Sequence, residues 1–430
     1  MDSAVDTGIA PSRGALDARG VAGFWASNRA LITITLVNFV SLAGFGLMFP
    51  VFATYGRQIG ASGMEIAGTV AVFSFGQFLS SPAWGWLSDR HGRRPVLIWG
   101  LVGGAAIYVL HVWAVTPLLL VLVRFISGMA SGCFSVGFAV ASDISTPATR
   151  TRVMGVVGAG FSLGFIFGPA IGGVTASISG QEHAFALVSV VGAVMGLLAG
   201  LTCWAFLPET TTRAEMESTS APGTLALLRR PGFAAPVALA LLSAAGFAKM
   251  EAVLGLFADD VLGLRPLGIG VMFGFMGLVT TATQLLLTGR VARIMGERRM
   301  LLASLAVIGV GMIVLGCAKG LVVAGLGLVF TSAGFALLNP ALSGLTSLAS
   351  PHDAQGAGLG LMQAASALGR VAGPAAAGVL YDAQGPAAPM FWAGAIFLAA
   401  LAVAPFLPMP GAATTAGEGD DGAPSRSTDG

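Results

Sequence analysis

The chain has 430 residues, of which 55% are hydrophobic and only 10% charged, and its formal net charge is +2. A soluble domain carries roughly 25% charged residues, so a water-soluble fold this apolar would lack the polar surface to cover its core. The mean hydropathy of +0.84 makes lipid the solvent for most of the protein, and the small net charge provides no electrostatic footprint for nucleic acid. Glycine occurs 62 times, as expected where helices must pack closely without a hydrophobic driving force between them. Cys133, Cys203 and Cys317 lie in apolar runs without ligand spacing and read as small buried hydrophobes.

In chain order, residues 1–30 are polar and carry acids ahead of the first apolar run. They read as a cytoplasmic tail before an uncleaved first helix. A span needs roughly 20 apolar residues. Runs of that size recur near 31–54, 65–87, 95–114, 117–141, 153–176, 184–206, 234–257, 268–290, 300–317, 320–347, 356–380 and 389–408. They predict an all-α membrane protein with about twelve transmembrane helices. The longest polar interruption, 208–233, divides the spans into 31–207 and 234–409, which predicts two six-helix bundles joined by a cytoplasmic linker. The low-complexity segment 410–430 is expected to be disordered.

Charge placement sets the orientation. Arg90, Arg93, Arg94, Arg150, Arg152, Arg213, Arg229, Arg230, Arg290, Arg293, Arg298 and Arg299 fall in loops on one side, and only Arg57, Arg265 and Lys319 on the other. Basic loops stay inside, so both termini are expected in the cytoplasm.

Several segments carry more than hydrophobicity. Between spans two and three stands "GWLSDRHGRRPVL" (85–97). Gly85 admits a neighbouring helix, Asp89 suits a helix N-terminus, and the arginines suit acids on adjacent helices. The basic-loop rule explains the arginines but not Asp89 or the glycines. Span four holds "RFISGMASG" (124–132), with Arg124 inside the membrane, where a charge is costly and is usually paired or functional. Span five holds "GFSLGFIFGPAIGG" (160–173). Gly160, Gly164, Gly168, Gly172 and Gly173 form a small-residue face, and Pro169 interrupts the backbone ladder. The second half echoes these weakly in "GRVARIMGERR" (289–299) and "LGRVAGPAAAG" (368–378).

Gly85, Asp89, Arg90, Gly92, Arg93 and Arg94 occupy every defining position of motif A of the major facilitator superfamily, which 85–97 therefore resembles. Residues 124–132 resemble motif B, 160–173 resemble motif C, the antiporter signature, and "GFGLMFPV" (44–51) resembles the matching Gly/Pro element of drug antiporters. The resemblance spans nearly the whole chain. It implies a major facilitator fold in the drug:proton antiporter branch: a monomeric, multi-pass protein of a bacterial inner membrane. Such a protein exports small molecules against an inward flow of protons, with the proton gradient in place of any cofactor. It also implies that motif A and Asp143 form a conformational latch at the cytoplasmic face. "SDRHGRRPVL", "GERR" and "AQGAGLGLMQAASALGRVAGP" are similar to segments of the tetracycline/proton antiporters. Those antiporters carry acids in spans one, three and nine, at positions matching Ser41, Ile107 and Ile308 here, so neither their substrate nor their proton site transfers.

Few intramembrane charges are left to do the coupling. Glu251 in "GFAKMEAVLG" (246–255) is the one acid well inside an apolar run. Loss of water favours the protonated form of a carboxyl, so Glu251 is a candidate for proton coupling or for contact with a cationic substrate, with a structural pairing to Lys249 as the bland alternative. Arg124 is the second candidate, organising a proton site or a substrate anion. Arg370 is ambiguous, and His111 reads as a wet residue at a helix end. Asn38 and Gln284 are candidate cavity donors; Phe73, Phe78, Phe134, Phe161, Met272 and Met276 are candidate apolar lining. No G-x-x-x-x-G-K-[ST] occurs, which disfavours an ATP-driven pump, and no nucleophile–base or metal-ligand cluster suggests an enzyme. An exporter of one specific metabolite, such as a sugar or siderophore, and a proton-coupled importer share these motifs.

Overall fold

The computed structural model describes residues 18–145, 150–210, 224–230, 232–350 and 355–407. Arg213 and the tail 410–430 lie outside the described residues, as do the side chains of Arg150, Arg152 and Phe161. The regular structure described is helical throughout. The first half contains α1 (Ala18–Leu47), α2 (Phe49–Gln58), α3 (Gly63–His91), α4 (Arg93–Leu110), α5 (Pro117–Ser131), α6 (Phe134–Asp143) and α7 (Arg150–Phe206). The second contains α8 (Ala234–Asp260), α9 (Pro266–Leu286), α10 (Thr288–Gly316), α11 (Leu321–Ala349), α12 (Gln355–Gln384) and α13 (Ala388–Val403).

Local chemistry places the starts and breaks. Ser62 Oγ accepts the Glu65 N–H while the Glu65 carboxylate accepts the Ser62 N–H, a reciprocal cap that starts α3. Thr116 caps α5, with Pro117 at its first position. α7 carries the fifth and sixth predicted spans on two arms that meet at Gly180, whose φ of +72° only glycine adopts freely. A similar kink at Gly296 (φ +70°) joins a short amphipathic arm to the ninth predicted span, so α10 begins before the expected boundary. Helix also begins at Ala18, inside the stretch read as a tail.

Among the described residues, ten helical stretches are long and apolar enough to cross a bilayer. α3 and α12 are 29 and 30 residues long but more polar, and these two pack on each other. A helix lining the middle of a membrane protein can carry polar groups that one facing lipid cannot. Large apolar side chains point outward elsewhere: Ile178, Leu285 and Val322 are 77%, 76% and 78% exposed, as a lipid-facing surface requires.

The glycines of 160–173 explain the packing of α7 on α1. A Cβ added at Gly160, Gly164, Gly168 or Gly172 would run into the carbonyl oxygen of Thr35, Phe39, Ala43 or Leu47 respectively. Four-residue steps on both helices make one continuous seam. The second half repeats it: Gly369 and Gly373 of α12 sit against the carbonyls of Leu241 and Ala245 of α8. α7 and α9 meet where Gly173 faces Pro266 and Gly277 faces Ile166. Phe49 stacks on Phe273 nearby, with ring centroids 5.1 Å apart.

Two sequence expectations are corrected. His111 is fully buried, not wet, because its ring stacks on Tyr108 of α4 and lies near Phe185 of α7, at centroid distances of 5.5 and 6.1 Å. Cys317 is exposed, because α10 ends one residue before it.

Candidate functional site

The turn between α3 and α4 is built around Gly92, whose φ of +94° is open to glycine. A Cβ there would lie 2.5 Å from Glu209 Oε2. Glu209 comes this close because its carboxylate accepts the backbone N–H groups of Arg93 (2.8 Å) and Arg94 (3.2 Å), the free amides that open α4. Arg93 is the hub. Its Nη1 donates to Ser88 Oγ at 2.7 Å and pairs with Asp89, and its Nε donates to Asp143 Oδ2 at 3.1 Å. Arg94 Nη2 donates to the Trp204 carbonyl at 2.5 Å, and the Arg90 guanidinium lies over the Trp86 ring. The network thus ties α3, α4, α6 and the end of α7 together. The Asp89 side chain is 58% exposed, and Gly85 faces open space. Glu209 was not singled out from the sequence, because nothing in "LPETTT" marks an acid whose partner is a turn more than 100 residues away.

Arg124 on α5 is 1% exposed. Its guanidinium carbon lies 4.4 Å from the ring centroid of Phe73, 4.7 Å from Phe52 and 5.6 Å from Phe45. Ring faces attract a cation, so the three phenyl groups replace part of the lost hydration, yet Nε and Nη2 have no hydrogen-bond partner. Phe45 and Phe73 also line an internal cavity of the first half with Phe134 and Ser41. Ser41 Oγ has no partner, and Ile308, another of the acid-lacking positions, is fully buried.

Glu251 on α8 is 8% exposed, and its Oε1 has no hydrogen-bond partner. It lines a small cavity with Phe49, Phe52, Ala53 and Phe273, where α2, α3, α8 and α9 converge. Phe52 therefore borders both this cavity and Arg124. The α12 residue Arg370 bears electrostatically on Glu251, and no ion pair within 4 Å joins Glu251 to Lys249 among the described residues. α8 and α12 pack together, and a two-residue helical offset turns Lys249 away from Glu251.

Asn38 is buried with Nδ2 unpartnered, and Gln284 is exposed near the end of α9. Phe73, Met272 and Met276 are buried, whereas Phe78 and Phe134 are half-buried. In 160–173, Pro169 sits against Gly46 of the Gly/Pro element in α1, where an added Cβ would lie 2.8 Å from Pro169 Cδ.

The chain matches the family profile of the Major Facilitator Superfamily over residues 34–288 and 252–427. It is 28% identical to multidrug resistance protein 2 of Bacillus subtilis, over 82% of this chain and 89% of that protein. It is also 28% identical to the class B tetracycline resistance protein of Escherichia coli, over 88% and 93%. Major facilitator superfamily domain-containing protein 10 of Mus musculus is 30% identical over 76% of this chain and 75% of its own length. Among solved structures, a bacterial homologue of the human lysosomal transporter Spinster, inward-facing and occupied, superposes with a TM-score of 0.73 at 15% identity, covering 91% of this chain and 97% of that one. With motif-bearing turns, glycine seams and a membrane-length helical frame in place, this chain belongs to the major facilitator superfamily, as a multi-pass membrane transporter similar to its drug-resistance members.

Proposed function

We propose that this protein exports small amphipathic or apolar molecules, a drug or a secondary metabolite, in exchange for protons entering across a bacterial inner membrane. In this reading α1 with α2, and α5 with α6, each form one span, and the two arms of α7 form two. Twelve spans result, in two six-helix bundles. The end bearing Asp89 and Glu209 is cytoplasmic, as its arginines favour, and the end bearing Arg57 is external. The bundles rock about the cavity between them, opening it to each side in turn. The relatives named for tetracycline and multidrug resistance support export of such compounds.

The observation that carries the coupling step is Glu251, a buried acid with an unpartnered oxygen in an aromatic cavity where the two halves meet. A carboxyl so placed holds a proton while dry and releases it when its surroundings hydrate. Arg124, among its three phenyl rings, positions the first-half wall of that cavity through Phe52. The motif A network, with Asp89 and Asp143, serves as the latch of the cytoplasmic face.

Everted vesicles with an acid interior test the reading. The parent protein should concentrate ethidium or tetracycline in them, and Glu251→Gln should lose proton-driven uptake while still binding the compound. Glu251→Gln vesicles that transport at the parent rate would remove Glu251 from coupling. A flat response across a broad compound panel would turn the reading toward a single-metabolite exporter.

A further inference from the structure

The end of the molecule opposite Asp89 carries charged and polar groups that the export chemistry does not use. Arg57, in the last turn of α2, donates through Nη2 to Asp260 Oδ2 at 2.5 Å. Asp260 is the last residue of α8. The Tyr381 hydroxyl, on α12, donates to the same oxygen. One residue further, Asp382 Oδ2 accepts the backbone N–H of Met64 in the first turn of α3 at 2.8 Å.

The surrounding sequence is arranged for this last contact. The Ser62–Glu65 cap satisfies the Ser62 and Glu65 amides of α3 and leaves the Met64 amide free. Asp382 supplies the missing acceptor from a different helix in the other half of the chain. Gly63 has no side chain where Asp382 Oδ1 arrives. An added Cβ at Gly378 would lie 2.5 Å from Met64 Cα, so that glycine lets the two backbones touch. α3 and α12 run antiparallel here, with the start of one beside the end of the other. An anion on a helix N-terminus and an ion pair sharing one carboxylate reinforce each other in this geometry.

We infer that Arg57, Asp260, Tyr381 and Asp382 form a clasp that holds the outer mouth of the transporter shut. The clasp joins α2 and α3 of the first half to α8 and α12 of the second, so the halves cannot part at this end while it is made. Other contacts between the halves among the described residues, such as Phe49 on Phe273, Gly173 on Pro266 and Gly277 on Ile166, are apolar or small-residue surfaces that can slide. The clasp is the directional, charge-bearing part of the closure, and release of substrate outward requires that it break. The inference rests on the alternating-access reading above.

The test follows a cysteine behind the clasp. In a background with Cys133, Cys203 and Cys317 replaced by serine, Ala53→Cys places a thiol in the wall of the Glu251 cavity, at a residue 2% exposed. A membrane-impermeant maleimide applied to the outer face should label it slowly. Asp260→Asn and Asp382→Asn should each raise the labelling rate by about threefold to tenfold, the shift expected for losing one charged hydrogen bond at a partly exposed site. Adding Arg57→Ala to Asp260→Asn should raise it little further, because both remove the same contact. Parent-like labelling in both aspartate variants, with intact elution by size exclusion, overturns the clasp. Where a variant does not fold, a short bismaleimide linking Arg57→Cys to Asp260→Cys, whose side chains face each other across the halves, should arrest efflux, and efflux that continues through the cross-link overturns the clasp equally. If Ala53→Cys never reacts from outside, even during active efflux, alternating access itself fails.

Discussion

The seam between α1 and α7 allows a graded prediction. An alanine Cβ at Gly160 would lie 2.6 Å from the Thr35 carbonyl oxygen and 2.7 Å from its methyl group. Ordinary carbon contacts settle at about 3.5 Å or beyond, so the helices must separate by close to ~1 Å or the seam must bend. Overpacking of this kind costs about 1–3 kcal/mol, while replacing a helical glycine by alanine returns about 0.5–1 kcal/mol. Gly160→Ala should therefore lose up to about 2.5 kcal/mol net, with a central value of about 1 kcal/mol. Gly172→Ala, tighter still against Leu47, should lose more. Gly103→Ala on α4 is the control: nothing lies within 4 Å of its added Cβ, so it should gain up to about 1 kcal/mol. Fluorescence-detected melting of the detergent-solubilised protein reads all three. The seam argument fails if Gly160→Ala and Gly172→Ala melt at or above the parent temperature, or if Gly103→Ala falls with them.

Three further outcomes follow from the site. Gly92→Ala combines a φ of +94° with a carboxylate oxygen 2.5 Å from the new Cβ, and it should cost about 1–2 kcal/mol. Adding Glu209→Ala should recover part of that loss by removing the clash, and strictly additive losses in melting would show that Glu209 does not occupy the turn. Arg124→Gln and Phe73→Leu should be coupled by about 1 kcal/mol in a double-mutant cycle of stability. A coupling indistinguishable from zero would mean that the ring under the guidanidinium carries none of its charge. Arg124→Lys should fall well short of the parent in transport, because an ammonium cannot stack on several rings as a planar guanidinium does.

Some of the site was legible before any coordinates. The motif at 85–97 marked a charged, glycine-broken turn, but not all of its partners: Asp89, expected at a helix N-terminus, pairs with Arg93, and Glu209 takes the free amides that open α4. Arg93 and Asp89 are four residues apart on adjoining turns, and their pairing is local. The glycines of 160–173 likewise announced a close approach. What they approach, the carbonyls of Thr35 to Leu47, could not be read, because a small-residue face specifies absence of bulk and not the identity of its neighbour.

Hydrophobicity and charge asymmetry, summed along the chain, determined that this protein lives in lipid and where its helices lie. They are local properties, averaged over some 20 residues at a time. The tertiary structure alone decided which isolated polar residues matter together. Arg57 lies 203 positions from Asp260, and Met64 lies 318 from Asp382, and no periodicity connects such pairs. Glu209 looked like linker until the turn at Gly92 brought two free amides to it. For Glu251, Lys249 stood as the alternative structural partner, and only the packing of α8 on α12 makes Arg370 the charge that acts on it. Interactions between elements depend on how helices are stacked, and that arrangement is set by packing summed over the whole fold, which no single stretch of sequence contains.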